Sequence, residues 1–167
     1  MNELIAQMPI AFRVDSNSEI GLGHLSRCLS LARELGSSFS PTFFVSEDSN
    51  SEPLEQDSFD VATCNHLDLA PIATHYQHKP FFLVVDGYHF PKDYFHNLRL
   101  TLPNAFLMAF DDMGEKRDVG AHGLINFSLS SESTEPPSIL KNTSLWGTRY
   151  YPAAPNLLEA ARARIAR

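Results

Sequence analysis

Residues 12–36 read FRVDSNSEIGLGHLSRCLSLARELG. An apolar run carrying Arg13 ends at Asp15, a polar loop follows with Gly21 and Gly23, and a helical pattern begins at His24. Leu25, Cys28, Leu29, Leu31, Ala32 and Leu35 share one arc of that helix, while Ser26, Arg27, Ser30, Arg33 and Glu34 fall on the other. Gly36 is a natural stop. Strand, glycine loop and helix in this order predict a buried parallel strand that feeds a helix, the first unit of an α/β sheet.

Working outward, the same alternation continues. Strands are expected over 9–14, 41–46, 59–64, 80–85, 105–110 and 123–125, the clearest being PFFLVV at 80–85. Helices are expected over 24–35, 67–77 and 91–100, the last with Pro in its first turn. Residues 47–58 are acidic and serine-rich and read as a loop; 127–145 read as a surface excursion. NLLEAARARIAR at 156–167 reads as a helix capped by Asn156, with Glu159 three residues on. The expected fold is an open, mostly parallel, Rossmann-like sheet over 1–150, with 151–167 as a C-terminal helix or linker. Such sheets bind ligands outside the carboxyl ends of their strands. Asp15, Asp86, Asp111, Asp112 and Asn126 all fall at those ends.

The 167 residues allow one domain with a real core. A formal net charge of -7 makes a nucleic-acid backbone a poor partner. No run approaches the roughly 18 apolar residues of a membrane span, and MNELIAQMPIAF lacks the basic start of a signal peptide, so a cytoplasmic setting is expected. Two cysteines make no disulfide framework, and Cys28 reads as a buried free thiol.

The chemistry concentrates in a few residues. A Gly21-Leu22-Gly23 turn at a helix start lets backbone approach a ligand and aims free N–H groups at an anion; many such turns are only tight turns. His24, in the helix's first turn, meets a dipole that disfavours the imidazolium form, leaving a neutral ring fit to act as a general base or simply to bond the loop. Arg13 and Asp15 point the same way from one strand, either as a structural ion pair or as a brace reaching a ligand. Asp86 is a candidate to hold a sugar hydroxyl, to position His24 or to cap the next helix. Tyr88 either faces substrate or packs. Asp111 and Asp112 are substrate-binding candidates; a metal there is disfavoured because adjacent strand-end side chains diverge, and Asp-Asp-x-Gly is also an ordinary turn. His66, His75, His78, His89, His96 and His122 show no metal-ligand spacing and read mostly as surface residues.

The run Arg-x-Asp, Ile-Gly-x-Gly-His, Arg-Cys-Leu-x-Leu-Ala, with Asp86-Gly-Tyr88 and Asp111-Asp112 after later strands, resembles the N-terminal signature of the UDP-2,4-diacetamido-2,4,6-trideoxy-β-L-altropyranose hydrolases of pseudaminic acid biosynthesis. Those enzymes are similar in fold to the MurG-type GT-B glycosyltransferases. The likeness covers residues 10–126 well and 145–152 loosely. It implies hydrolysis of a UDP-sugar without a metal or other cofactor. His24 would activate or place the water, Tyr88 would line the sugar site, and the glycine loop would lie beside the diphosphate. It also implies a second, C-terminal nucleotide-binding half, on the same longer chain or separate, and an isolated N-terminal half is expected to bind UDP weakly and turn over little. A GT-B glycosyltransferase, a non-catalytic sugar-nucleotide binding module and a metal phosphohydrolase are the competing expectations.

Overall fold

Apolar alternation in the first strand sets the architecture. In β1 (Ile10–Val14), Ile10, Phe12 and Val14 pack into one hydrophobic layer and Ala11 into a second layer on the opposite face. A strand buried on both faces needs helices on both sides, which is the α/β solution. The computed structural model describes residues 8–36, 39, 41–113, 120–141 and 143–151. The helix expected over 156–167 lies outside the described residues.

The remaining strands are β2 (Thr42–Ser46), β3 (Asp60–Cys64), β4 (Phe81–Asp86), β5 (Ala105–Phe110), β6 (Gly123–Asn126) and β7 (Leu145–Trp146). All seven join one parallel sheet in the order β3-β2-β1-β4-β5-β6-β7. The helices are α1 (Gly23–Leu35), α2 (Glu52–Gln56), α3 (Ala70–Tyr76) and α4 (Lys92–Thr101). Leu25, Cys28, Leu29 and Ala32 of α1 and Leu54 of α2 pack on Phe12, Phe43, Val84 and Phe110. Ile72 and Tyr76 of α3 and Tyr94, Phe95 and Leu98 of α4 cover the other face, against Phe44, Leu83 and Leu107. Among the described residues no helix is long and apolar enough to cross a membrane.

The chain runs outward from β1 to β2 and β3, then returns to place β4 on the other side of β1. The reversal opens a crevice between the carboxyl ends of β1 and β4, where ligands of doubly wound sheets sit. Val14 pairs with Asp86 in register, so the loops carrying Asp15 and Tyr88 leave the sheet side by side.

Two features depart from the sequence expectation. Residues 52–56 form a short helix inside the segment read as loop, started by Pro53 and held by Leu54, which is fully buried. The excursion after β6 returns to the sheet as the two-residue β7. So short a strand has no period to read; it forms because β6 offers an open edge, and Gly147 N–H bonds the Asn126 carbonyl at 2.9 Å.

Gly123 sits where this return presses on the sheet. A Cβ there would stand 2.2 Å from the Thr143 carbonyl oxygen and 2.6 Å from Met108 Sδ. Gly123→Ala is therefore expected to lower stability by about 1–3 kcal/mol in urea unfolding. Gly23→Ala, whose Cβ would meet nothing within 4 Å, should change it by less than about 0.5 kcal/mol. Equal midpoints for the two variants would show that the Thr143 contact does not constrain the sheet.

Candidate active site

The loop after β1 is tied down before it reaches the helix. The Asn17 side-chain oxygen accepts the Glu19 and Ile20 N–H groups at 3.0 and 2.8 Å, and Gly21 N–H bonds the Asn17 carbonyl at 2.8 Å. Gly21 has φ +79°, a conformation that favours glycine. The Asn50 N–H bonds the Ser16 carbonyl at 2.6 Å, which ties the loops after β1 and β2 together. Helix α1 then starts at Gly23, where Leu22 supplies no side-chain cap. The amides of the first turn have no partner within the helix, and the space above Gly23 is open.

Asp86 is the centre of the site. Its carboxylate is fully buried. One oxygen, Oδ1, lies 2.8 Å from His24 Nδ1. The Arg27 guanidinium grips both oxygens, through Nε on Oδ2 and Nη2 on Oδ1. A carboxylate only accepts, so the proton between His24 and Asp86 is assigned to Nδ1. Nε2 is then the ring's acceptor. Arg27 Nη2 is also 3.1 Å from His24 Nδ1, a contact between two donors in this tautomer. Among the three readings open for Asp86, the geometry is that of a residue positioning His24; Pro91 stands at the N-cap of α4, and no side chain caps that helix.

Arg27 carries the network further. Its Nη1 donates to Asp112 Oδ2 at 2.9 Å, and its guanidinium lies 4.6 Å from the Phe110 ring centroid. The Tyr88 hydroxyl donates to the same Asp112 oxygen at 2.7 Å. The Tyr88 ring meets His24 edge-on, with centroids 4.6 Å apart. Burial and the neighbouring Asp112 carboxylate push the Tyr88 phenol up to about 12. Burial alone would raise the Asp112 carboxyl, but the Tyr88 hydrogen bond and Arg27 hold it below the usual carboxylate range. A cleft of about 350 Å³ lined by Glu19, Ile20, His24, Tyr88 and His89 opens above this group. A larger, more polar hollow of about 580 Å³, lined by Asn17, Ser18, Glu19, Leu22, Asp48, Ser49 and Asn50, adjoins it and shares Glu19.

Arg13 and Asp15 form a buried ion pair beneath the loop. Arg13 donates through Nη1 and Nη2 to the two Asp15 oxygens and also to the carbonyls of Phe44 at 3.3 Å and His66 at 2.8 Å. Ser46 N–H donates to Asp15 at 2.6 Å and His89 Nε2 lies 3.0 Å from its other oxygen. Both residues are fully buried, so the pair braces the strand end from inside. Asp111 is also buried, and its N–H extends the sheet by bonding the Ile125 carbonyl at 2.9 Å. Of the sequence candidates, His24, Asp86, Tyr88 and Asp112 thus meet in one hydrogen-bonded group beside the Gly21–Gly23 turn, with Arg13 and Asp15 below it.

Three assignments from sequence do not survive contact with the fold. Arg27, placed on the solvent arc of the helix, has only 14% of its side chain exposed. Its spacing of three from His24 puts both on one helical face, and that was the available signal. His89, grouped with the surface histidines, is largely buried against Asp15. Ser30, also placed on the polar arc, is buried and bonds the Ser26 carbonyl at 2.9 Å. Cys28 is buried as expected, and burial pushes its thiol up. Among the described residues, Asp15, His66 and His89 are the one group of three acidic, His or Cys side chains whose donor atoms converge as a metal would require.

Arg27→Met leaves Asp86 buried with one polar neighbour fewer and no counter-charge. It is expected to cost about 3–5 kcal/mol in chemical unfolding, the usual cost of breaking a buried pair from one side; a loss under about 1 kcal/mol would mean that Asp86 is neutralised otherwise. Asp112 contributes stability that is present above its unfolded pKa of about 3.9 and lost as pH falls through its lower folded value. Asp112→Asn should therefore flatten the acid limb of the stability curve below about pH 4, measured as urea midpoints across pH.

Comparison of the chain with protein-family models and with curated proteins finds no match to either.

Proposed function

We propose that this chain is the N-terminal, catalytic half of a UDP-sugar hydrolase of GT-B architecture, releasing UDP and a free diacetamido-trideoxy sugar. The observation that carries the reading is the His24–Asp86 pair at 2.8 Å, at the β1/β4 switch point and on the wall of the Tyr88 cleft. A histidine whose Nδ1–H is held by a buried carboxylate has one orientation and presents Nε2 as a base. The resemblance of the Ile20-Gly-x-Gly-His24 turn and of Asp86-Gly-Tyr88 to the hydrolase signature supports the same assignment.

In this reading His24 Nε2 takes a proton from water as the water oxygen attacks the anomeric carbon. The bond from that carbon to the diphosphate oxygen breaks, and UDP leaves with the electron pair. Asp86 steadies the imidazolium that forms. Tyr88, half-exposed at the cleft mouth, contacts the sugar. The guanidinium groups of Arg13 and Arg27 are committed to carboxylates, which leaves the first-turn amides of α1 and the C-terminal half to meet the diphosphate. No step in it calls on a cofactor.

His24→Asn, in the chain joined to its nucleotide-binding half, is expected to reduce UDP release by about 100-fold or more with unchanged circular dichroism. Near wild-type turnover would remove His24 from the mechanism. Supplying acceptor alcohols to the wild-type assembly tests the transferase alternative, since a glycosylated product would replace the free sugar.

A further inference from the structure

Apart from the His24 network, one cluster among the described residues brings together the donor types that a transition metal takes. Asp15 Oδ2, at the end of β1, lies 3.0 Å from His89 Nε2 in the turn after β4 and 3.7 Å from His66 Nδ1 in the turn after β3. The donor atoms of the three side chains all lie within 4.8 Å of one another. A tetrahedral ion with bonds of about 2.0–2.1 Å holds its donors about 3.3 Å apart. The two separations from Asp15 bracket that value.

The three side chains are prepared unequally. Asp15 is fully buried and the His89 side chain is 18% exposed, while the His66 side chain is 52% exposed. Two ligands are therefore preorganised, and the third comes from a side chain with room to turn. The His66 backbone is itself anchored, because its carbonyl accepts Arg13 Nη2 at 2.8 Å.

We propose that Asp15, His66 and His89 form a transition-metal site with two imidazole ligands and one carboxylate. Mixed nitrogen and oxygen donors select zinc or a neighbouring ion such as cobalt or nickel over magnesium or calcium, which take oxygen ligands. Without metal, His89 Nε2–H donates to Asp15; the ion replaces that bridging proton, which passes to solvent or to the ring's Nδ1. Arg13 shares the carboxylate and weakens the attraction for a dication, so affinity in the micromolar range is expected rather than the tighter binding of a closed structural site. Three protein ligands leave a coordination position open, and His89 also lines the His24 cleft, so that position lies close to where a ligand would bind. The site uses none of His24, Asp86 or Arg27 and stands or falls separately from the hydrolase reading.

The test is titration of the whole chain with zinc by calorimetry and with cobalt by its ligand-field absorption. One ion per chain with micromolar affinity is expected, weakened about tenfold or more in His66→Ala and in His89→Ala and unchanged in His78→Ala. Should His89→Ala fail to fold, His66→Ala decides, because it removes an exposed ring and keeps the carbonyl that Arg13 holds. Absence of saturable binding to the wild type, or binding that both ring deletions leave intact, would overturn the site.

Discussion

A carboxylate with no access to water is the constraint around which this molecule is arranged. Asp86 ends the central strand β4 and is fully buried. An isolated charge there would be prohibitive, so it needs a cation and hydrogen-bond donors at close range. Helix α1 supplies both from one face, with Arg27 on both oxygens and His24 on one. The requirement fixes how α1 sits on the sheet. It also explains why a helix whose apolar arc already packs on Phe12 and Phe43 keeps an arginine turned inward.

The same economy of charge shapes the whole sheet edge. Asp15 is matched by Arg13, and Asp86 and Asp112 are matched together by Arg27. Both guanidinium groups are thereby spent inside the protein. What remains toward solvent is an acidic rim, two adjoining clefts and the uncapped start of α1. The Asp15 carboxylate is met by His66 and His89, and His89 also lines the His24 cleft.

Much of the fold was legible because its strands are apolar on both faces. Runs such as PFFLVV and AFLMAF can only be buried strands in a chain of alternating elements. The elements that escaped notice are those whose stability is not local. Residues 52–56 are five residues long and β7 is two; neither has a pattern, and each forms because a buried Leu54 or an open strand edge rewards it. The site was half legible in the same way. His24, Asp86, Tyr88 and Asp112 could be named from their positions at strand and helix ends, whereas Arg27 looked like a solvated charge and His89 like a surface histidine.

The amino-acid sequence by itself determined an α/β fold with a parallel sheet, a glycine turn before a histidine, and acidic residues at the strand ends. Periodicity and punctuation are local properties, and a reader of the chain has them in full. Only the tertiary structure decided which carboxylate pairs with which histidine and arginine. Asp86 lies 62 residues from His24 and 59 from Arg27, and Asp15 lies 74 from His89. Such pairings follow from strand order, because placing β4 against β1 brings the two loops together. They carry no trace in the spacing of the residues along the chain.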